Sequence, residues 1–459
     1  MKKTFFILLL LSTYLLTAQN GYDIKIKVKN YSGDSLFVFY PYGKNLVALK
    51  TIYRDTGNVF ILKDEAVIMP GLYHLGKKQH NIKASFIMTP EDCHFSASFD
   101  FANKNIMNFD NSEENRLYKK YLVTTSNTKR KIKSYKKQRQ LSKIAPLTLK
   151  LNNIRKNLIK ENPGSVAALL IKSEIQWIDT PYYGQKDSKK IEKQLNFKID
   201  HFLDNLELDN PATMRLPATF RLINEYLDNV VHLKPERVNE KLDSMLNAMG
   251  YKSEMFRYYL PYFERKYRFA FRPWVDKTYI HLAKKYYNKD IAYWMKEKEI
   301  ERVQREAEKR EGALVGKIIP DVTLEDENGN KVRLMDIKAP YIVLVFWRPG
   351  CGHCRKAMPK LRDFQKEFAD TGVKIVTACT RQRSDTYRCW NGVKREKMQC
   401  FDYNLADKEG NTGFLFKFNV GGVPYIFILD KDKRILDKKV APSLLKEKFR
   451  AILKEGNKG

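Results

Sequence analysis

Tyr341-Ile-Val-Leu-Val-Phe-Trp347 runs directly into Arg348-Pro-Gly-Cys-Gly-His-Cys354, and this stretch decides how the last third of the chain folds. An unbroken apolar run rich in β-branched and aromatic side chains suits a strand buried on both faces of a central sheet. Pro349 and Gly350 mark a turn, and the spacing that follows predicts a helix over 354–369. A cysteine at such a junction meets unpaired backbone N–H groups and the positive end of a helix dipole, both of which favour its thiolate. Cys351 and Cys354 stand about one helical turn apart, so their sulfurs can join and separate without straining the chain. The pair reads as a redox dithiol. His353 between them, when protonated, adds positive charge beside the thiolate and favours the reduced form.

Three other uses of such cysteines fit less well. A structural zinc site needs a second pair of ligands at knuckle spacing, whereas Cys389 and Cys400 have ten residues between them and no second CxxC is present. A static disulfide has no need of a loop between strand and helix. A peroxidase needs Thr or Ser three residues before its cysteine, where this chain has Arg348.

Outward from this centre, strands are expected at 332–337, 373–378 and 425–429, and helices near 386–397 and 443–454. Strand and helix alternate, which predicts an α/β sandwich around a central sheet.

At this point the residues resemble a known family. Gly316-Lys-Ile-Ile-Pro-Asp-Val-Thr-Leu324, Asp326-Glu-Asn-Gly329, Val343-Leu-Val-Phe-Trp347, Cys351-Gly-His-Cys-Arg355 with Met358-Pro359, and Gly422-Val-Pro424 followed by Phe427-Ile-Leu-Asp430 are similar to the thioredoxin-like domain of TlpA/ResA-type envelope thiol-disulfide oxidoreductases. The resemblance covers roughly the last 145 residues, in order and spacing. It implies a thioredoxin-like fold over 313–459, Cys351 as the attacking thiol and Cys354 as the resolving one. It also implies a cis-proline at Pro424, with Trp347, Val423 and Pro424 beside the docking site of an extended partner segment. No metal or organic cofactor is implied. There are departures from the family's pattern. Val345 replaces a buried acid, Ala357 replaces a glutamate after the second cysteine, and Gly350 replaces a tryptophan before the first. Val423, where reductive members often carry threonine, and His353 tilt the expected direction toward disulfide exchange or oxidation.

The remaining sequence divides by periodicity. Residues 1–19 carry Lys2 and Lys3, an apolar run from Phe5 to Leu16 and then Thr17, Ala18 and Gln19, the order of a secretory signal peptide cut after Ala18 or Gln19. An uncleaved membrane anchor is the alternative. Over 20–110 apolar and polar residues alternate, as in Ile24, Ile26 and Val28, which predicts an antiparallel β domain. Its histidines, His74, His80 and His94, lack metal-ligand spacing, and Cys93 reads as a buried small residue. Over 111–312 the period becomes helical, with Leu147, Leu151, Ile154 and Leu158 on one face and Phe220, Ile223, Leu227 and Val230 on another. Proline-containing breaks at 162–164, 210–211 and 234–235 divide an all-α domain. Two aromatic groups, Tyr258, Tyr259, Tyr262 and Phe263 and then Phe269, Phe271 and Trp274, read as core, and the charged stretch 296–310 as an exposed helix. These first two modules resemble, more loosely, the β and helical modules that precede thioredoxin domains in some exported proteins, which names no activity.

Lys and Arg total 84 against 53 acidic residues, a net charge of +31, yet the basic residues are scattered apart from a run over 129–139. Without a recognition helix or an aromatic platform this reads as a solvated basic face with no nucleic-acid partner, the alternative being a weak, salt-screened attraction toward anionic lipid headgroups or acidic partners. Of the six cysteines, five fall after residue 350. Cys389 and Cys400 are expected to form a structural bridge, to act as a relay pair or to stay free, and Cys379 to be inert core. The expected function is thiol-disulfide exchange with envelope proteins, in the periplasm, with a membrane or soluble redox partner. Two alternatives remain: a binding or assembly protein using the thioredoxin fold as a scaffold, and a disulfide isomerase or chaperone.

Overall fold

The computed structural model describes residues 21–78, 81–102, 106–178, 188–269 and 275–456. The proposed signal segment, His80, Phe271 and Trp274 lie outside the described residues. The chain divides into two compact units at Tyr258/Tyr259.

The first unit begins with eight strands: β1 Tyr22–Lys29, β2 Ser35–Tyr42, β3 Asn45–Tyr53, β4 Val59–Asp64, β5 Gly71–Gly76, β6 Ile82–Met88, β7 His94–Asp100 and β8 Asn108–Asp110. They form two four-stranded sheets, ordered β4-β1-β7-β8 and β3-β2-β5-β6. Alternation has its expected cause: Ile24, Ile26 and Val28 of β1 meet Phe95, Ala97 and Phe99 of β7 in one buried core. Pairing is antiparallel throughout except for β1 with β7, which run parallel. His74 is a half-buried histidine of β5. It meets Ser85 Oγ at 2.7 Å, and burial pushes its pKa down to about 4, so it stays neutral. Cys93 is buried, as read from the sequence.

Among the described residues, six α-helices follow in this unit: α1 Glu113–Lys137, α2 Ile144–Ile159, α3 Val166–Ser173, α4 Ser188–His201, α5 Pro217–Glu225 and α6 Val238–Met249. The two expected stripes face inward, Leu151 and Leu158 on α2 and Ile223 on α5 with Leu227 and Val230 in the π-turn after it. Asn115 at the start of α1 binds both the N–H and the C=O of Ile87, joining the helix to β6 through a side chain that is itself fully buried. Helix α7, Glu254–Phe269, contains the division between the units. Tyr259 and Phe263 are buried as expected, but Phe269 is 71% exposed and belongs to no core.

The second unit holds α8 Val275–Tyr286 and α9 Glu297–Glu311, read from the sequence as the tail of the helical domain, together with the α/β elements. Helix α9 corrects an expectation. Most of its positions are exposed as expected, but one face is not, because Ile300, Val303, Ala307 and Arg310 fall three to four residues apart and are buried. Beyond it lie β9 Thr323–Glu325, β10 Lys331–Arg333, β11 Tyr341–Trp347, α10 Gly352–Glu367, β12 Lys374–Gln382, α11 Tyr387–Arg395 and β13 Tyr403–Asp407. The chain closes with α12 Phe414–Lys417, β14 Tyr425–Asp430, β15 Ile435–Lys438 and α13 Leu445–Gly456. The strand expected at 332–337 is only three residues long and gives way to a 3-10 turn at Leu334–Asp336.

The seven strands make one sheet, ordered β10-β9-β13-β12-β11-β14-β15. Strand β11 is central, parallel to β12 and antiparallel to β14. Its side chains alternate between two cores. Val343, Val345 and Trp347 pack with α10 and α13, while Ile342, Leu344 and Phe346 pack with Phe414, Phe418 and Phe427 on the other face. That double burial is the physical reason for its uninterrupted apolar sequence. No helix of the described residues is long and apolar enough to cross a membrane.

Candidate active site at the mouth of helix α10

Strand β11 ends at Trp347, and four residues later the chain enters α10 with Cys351 as its N-cap. Gly350 makes the turn possible by adopting φ +81°, a left-handed conformation that costs glycine little and other residues more. Cys351 is extended, at φ −80° and ψ 116°, and its Sγ accepts the N–H of Cys354 at 3.2 Å. A sulfur in this place takes up one of the orphan N–H groups of the first turn, where a thiolate accepts more strongly than a thiol. The same Sγ lies 3.6 Å from the carbonyl oxygen of Val423, whose peptide bond to Pro424 is cis. Cys351 is half-buried and Cys354 is 1% exposed, and neither forms a disulfide.

The two thiols differ in environment as well as in access. Burial, followed by the hydrogen bond with Cys351, pushes the Cys354 thiol up to about 12. At neutral pH it therefore holds its proton while Cys351 is the sulfur that a partner can reach. His353 is exposed on the first turn of α10, and Arg348 is exposed in the preceding loop.

Of the residues singled out from the sequence, Cys351, Cys354 and Val423 lie together, with Trp347 in the same apolar cluster. Trp347 does not have the docking role expected of it. It is 1% exposed and supports the loop from within, where a partner segment cannot touch it. Gly392 of α11 explains the fit, since a Cβ there would come within 2.7 Å of the Trp347 ring and 3.3 Å of Pro349 Cβ.

The second cysteine pair is also different from expectation. Cys389 is bonded to Cys379, with Cα atoms 6.0 Å apart, and not to Cys400. Cys379 is thus no inert core thiol, and Cys400 is free and exposed. The reason is alternation along β12. Ile375 and Cys379 point to the face shared with Trp347, and α11 lays Cys389 on that face. Sequence spacing places Cys400 past the end of α11, in an exposed turn. The bridge ties α11 to β12 next to the strand that carries the dithiol. Replacing both cysteines by alanine is expected to cost about 2–3 kcal/mol in chemical unfolding, from the loop entropy of a bridge spanning ten positions. A loss below about 0.5 kcal/mol would show that packing alone holds α11.

No group of three or more His, Cys, Asp or Glu side chains able to hold a metal ion occurs among the described residues.

With this geometry in view, known proteins give a consistent comparison. Residues 315–438 match the AhpC/TSA family. The thioredoxin-like protein YneN of Bacillus subtilis is 30% identical over 150 residues, 31% of this chain and 82% of that protein. The thiol-disulfide oxidoreductase ResA of Bacillus cereus is 27% identical over 129 residues, 28% of this chain and 71% of the relative. A solved thioredoxin-like protein from Bacteroides caccae aligns over 60% of this chain and 98% of its own at 16% identity, with a TM-score of 0.48. The similarity to YneN extends over most of that protein's length, the ResA relative agrees with it, and on that relationship the chain belongs to the TlpA/ResA-like, thioredoxin-fold thiol-disulfide oxidoreductases.

Proposed function

We propose that the protein is exported and exchanges electrons with envelope proteins through Cys351 and Cys354, Cys351 attacking and Cys354 resolving. In the reductive direction the Cys351 thiolate attacks one sulfur of a partner disulfide. The partner's S–S bond breaks, its other sulfur leaves as a thiolate and takes a proton, and Cys351 is left in a mixed disulfide. Cys354 then gives up its proton and attacks the Cys351 sulfur. The partner's second thiol is released and a Cys351–Cys354 disulfide remains, two electrons having passed to the partner. Oxidation of a partner dithiol is the same sequence in reverse.

The observation that carries this reading is the placement of Cys351 Sγ, which is open to a partner, takes the N–H of Cys354 and lies beside the Val423 carbonyl. Val423 and Pro424, both half-buried, border the thiol where an extended segment would pair with the backbone at residue 423. His353, exposed on the first turn of α10 between the two cysteines, is the residue we assign to tuning the pair. Export rests on residues 1–19, and the division into β-rich, helical and thioredoxin-like parts near 110 and 312 remains our proposal for how the chain is organised.

Cys354→Ser tests the order of steps. The variant retains the attacking thiol but lacks the resolving one, so it is expected to accumulate covalent adducts that dithiothreitol releases and that peptide mapping places on Cys351. If adducts map to Cys93 or Cys400, or form equally in a Cys351→Ser/Cys354→Ser protein, the assignment is wrong.

A further inference from the structure

We propose that the first unit carries a separate binding site for an extended polypeptide segment in which apolar side chains alternate with acidic ones. The site is a cavity of about 1080 Å³ among α1, α2, α4, α5 and the segment 174–178. No property of the dithiol enters this inference.

Three observations support it. The first is an apolar surface left open to solvent. Trp177 is 36% exposed, Leu149 55% and Phe197 57%, and the Trp177 and Phe197 rings lie 6.0 Å apart. Large side chains grouped in a concavity and left uncovered by the described residues mark a binding surface rather than scattered exposure. The second is charge. Lys136, Lys156, Lys193 and Arg221 line the cavity against two carboxylates, Glu174 and Glu225. Both carboxylates are already engaged, Glu174 by Arg155 at 3.5 Å and Lys129 at 3.6 Å, and Glu225 by Arg221 at 3.2 Å. Among the described residues, Lys136, Lys156 and Lys193 have no carboxylate partner, so the unbalanced charge facing an occupant is positive.

The third observation selects a peptide over a fatty chain. Side-chain amides of Asn153, Gln194 and Asn205 are interspersed with the apolar groups, and the Gln194 Oε1 is buried without a hydrogen-bond partner. An alkyl tail would desolvate these amides and give them nothing in return, whereas a peptide backbone offers both a donor and an acceptor at every residue. The wall is also fixed in advance. Buried Asn152 binds the Gln176 N–H at 3.1 Å and its C=O at 2.8 Å, which holds the chain leading to Trp177 against α2.

The experiment is fluorescence anisotropy with the full-length mature protein and a labelled short peptide alternating leucine with glutamate. A leucine–lysine peptide and sodium decanoate serve as competitors. The acidic peptide is expected to bind saturably and more weakly as salt rises, and neither competitor is expected to displace it. Phe197→Ser should weaken binding about tenfold or more, as removal of a central aromatic anchor does. Lys156→Glu/Lys193→Glu, at two exposed positions that carry no part of the core, should weaken it at least as much. Exchange of Cys351 with a small-molecule disulfide should be unchanged in both variants, which separates failure here from failure of the redox assignment. Equal binding of acidic and basic peptides, displacement by decanoate, or an affinity untouched by both variants would overturn the inference.

Discussion

A Cys351→Ser protein is expected to reduce a disulfide-bonded protein substrate no faster than the uncatalysed blank, a loss of at least about a thousandfold, the scale seen when an enzyme loses its nucleophile. The cause is chemical rather than structural. Serine fits the N-cap position, and its hydroxyl can accept the Cys354 N–H as the sulfur does, so the fold should survive with helix α10 still capped. What disappears is the sulfur nucleophile that a partner disulfide can reach. Cys354 cannot take its place, because it is 1% exposed and burial pushes its thiol up. Burial, the largest cause of that upward shift, is left in place by the substitution, so the Cys354 thiol still holds its proton and still lies out of a partner's reach. Residual activity above about a tenth of the parent's would mean that Cys400, the exposed free thiol, or another group carries the exchange.

How far this could be read from sequence follows from where each signal resides. Strand β11 was legible because burial on both faces leaves an uninterrupted apolar run, and α10 because a turn and a cysteine pair fix its start. The dithiol itself is local: two residues of spacing determine the geometry of the pair. The Cys379–Cys389 bridge is not local. Choosing among Cys379, Cys389 and Cys400 requires knowing which face of β12 receives α11, and the spacing between cysteines does not contain that. The docking role expected of Trp347 comes from the resemblance, while the chain's own apolar run places the ring in a buried strand. Its burial depends on Gly392, a glycine on another element that leaves room for the ring. The buried face of helix α9 was missed for a related reason: arginine at position 310 looks like a solvent residue until its carboxylate partner, 34 positions earlier, is brought beside it.

That partner is the source of the second large effect. Asp276 of α8 is fully buried, and its carboxylate meets Arg310 at 2.9 Å, Lys438 at 2.6 Å and Lys439 at 3.4 Å. The Lys438 side chain is itself inaccessible, and its Nζ also bonds the Ala313 carbonyl. One buried acid therefore balances cations from α9 and from the end of β15, an edge of the seven-stranded sheet. Burial alone would push the Asp276 carboxyl up, but the Lys438, Lys439 and Arg310 charges override it and hold it below the usual carboxylate range. Its ionised form thus contributes stability above its unfolded value near 3.8, and this contribution is lost as pH falls through the lower folded value. Lys438 shows the opposite side of the same cluster, its ammonium depressed by burial that Asp276 only partly offsets. Asp276→Ala should then leave buried positive charge uncompensated and cost about 3–5 kcal/mol in chemical unfolding of the full chain. Lys438→Met added to it removes one of the stranded cations and is expected to restore about half of the loss, since replacing a buried pair is far less costly than breaking it. A change below about 1 kcal/mol in Asp276→Ala, or no recovery in the double variant, would show that packing between α8 and α9 holds this edge without the ionic cluster. Because none of these residues touches Cys351, exchange activity below the unfolding transition should be retained in both variants, and its loss would mean that the sheet edge helps to hold the dithiol in place.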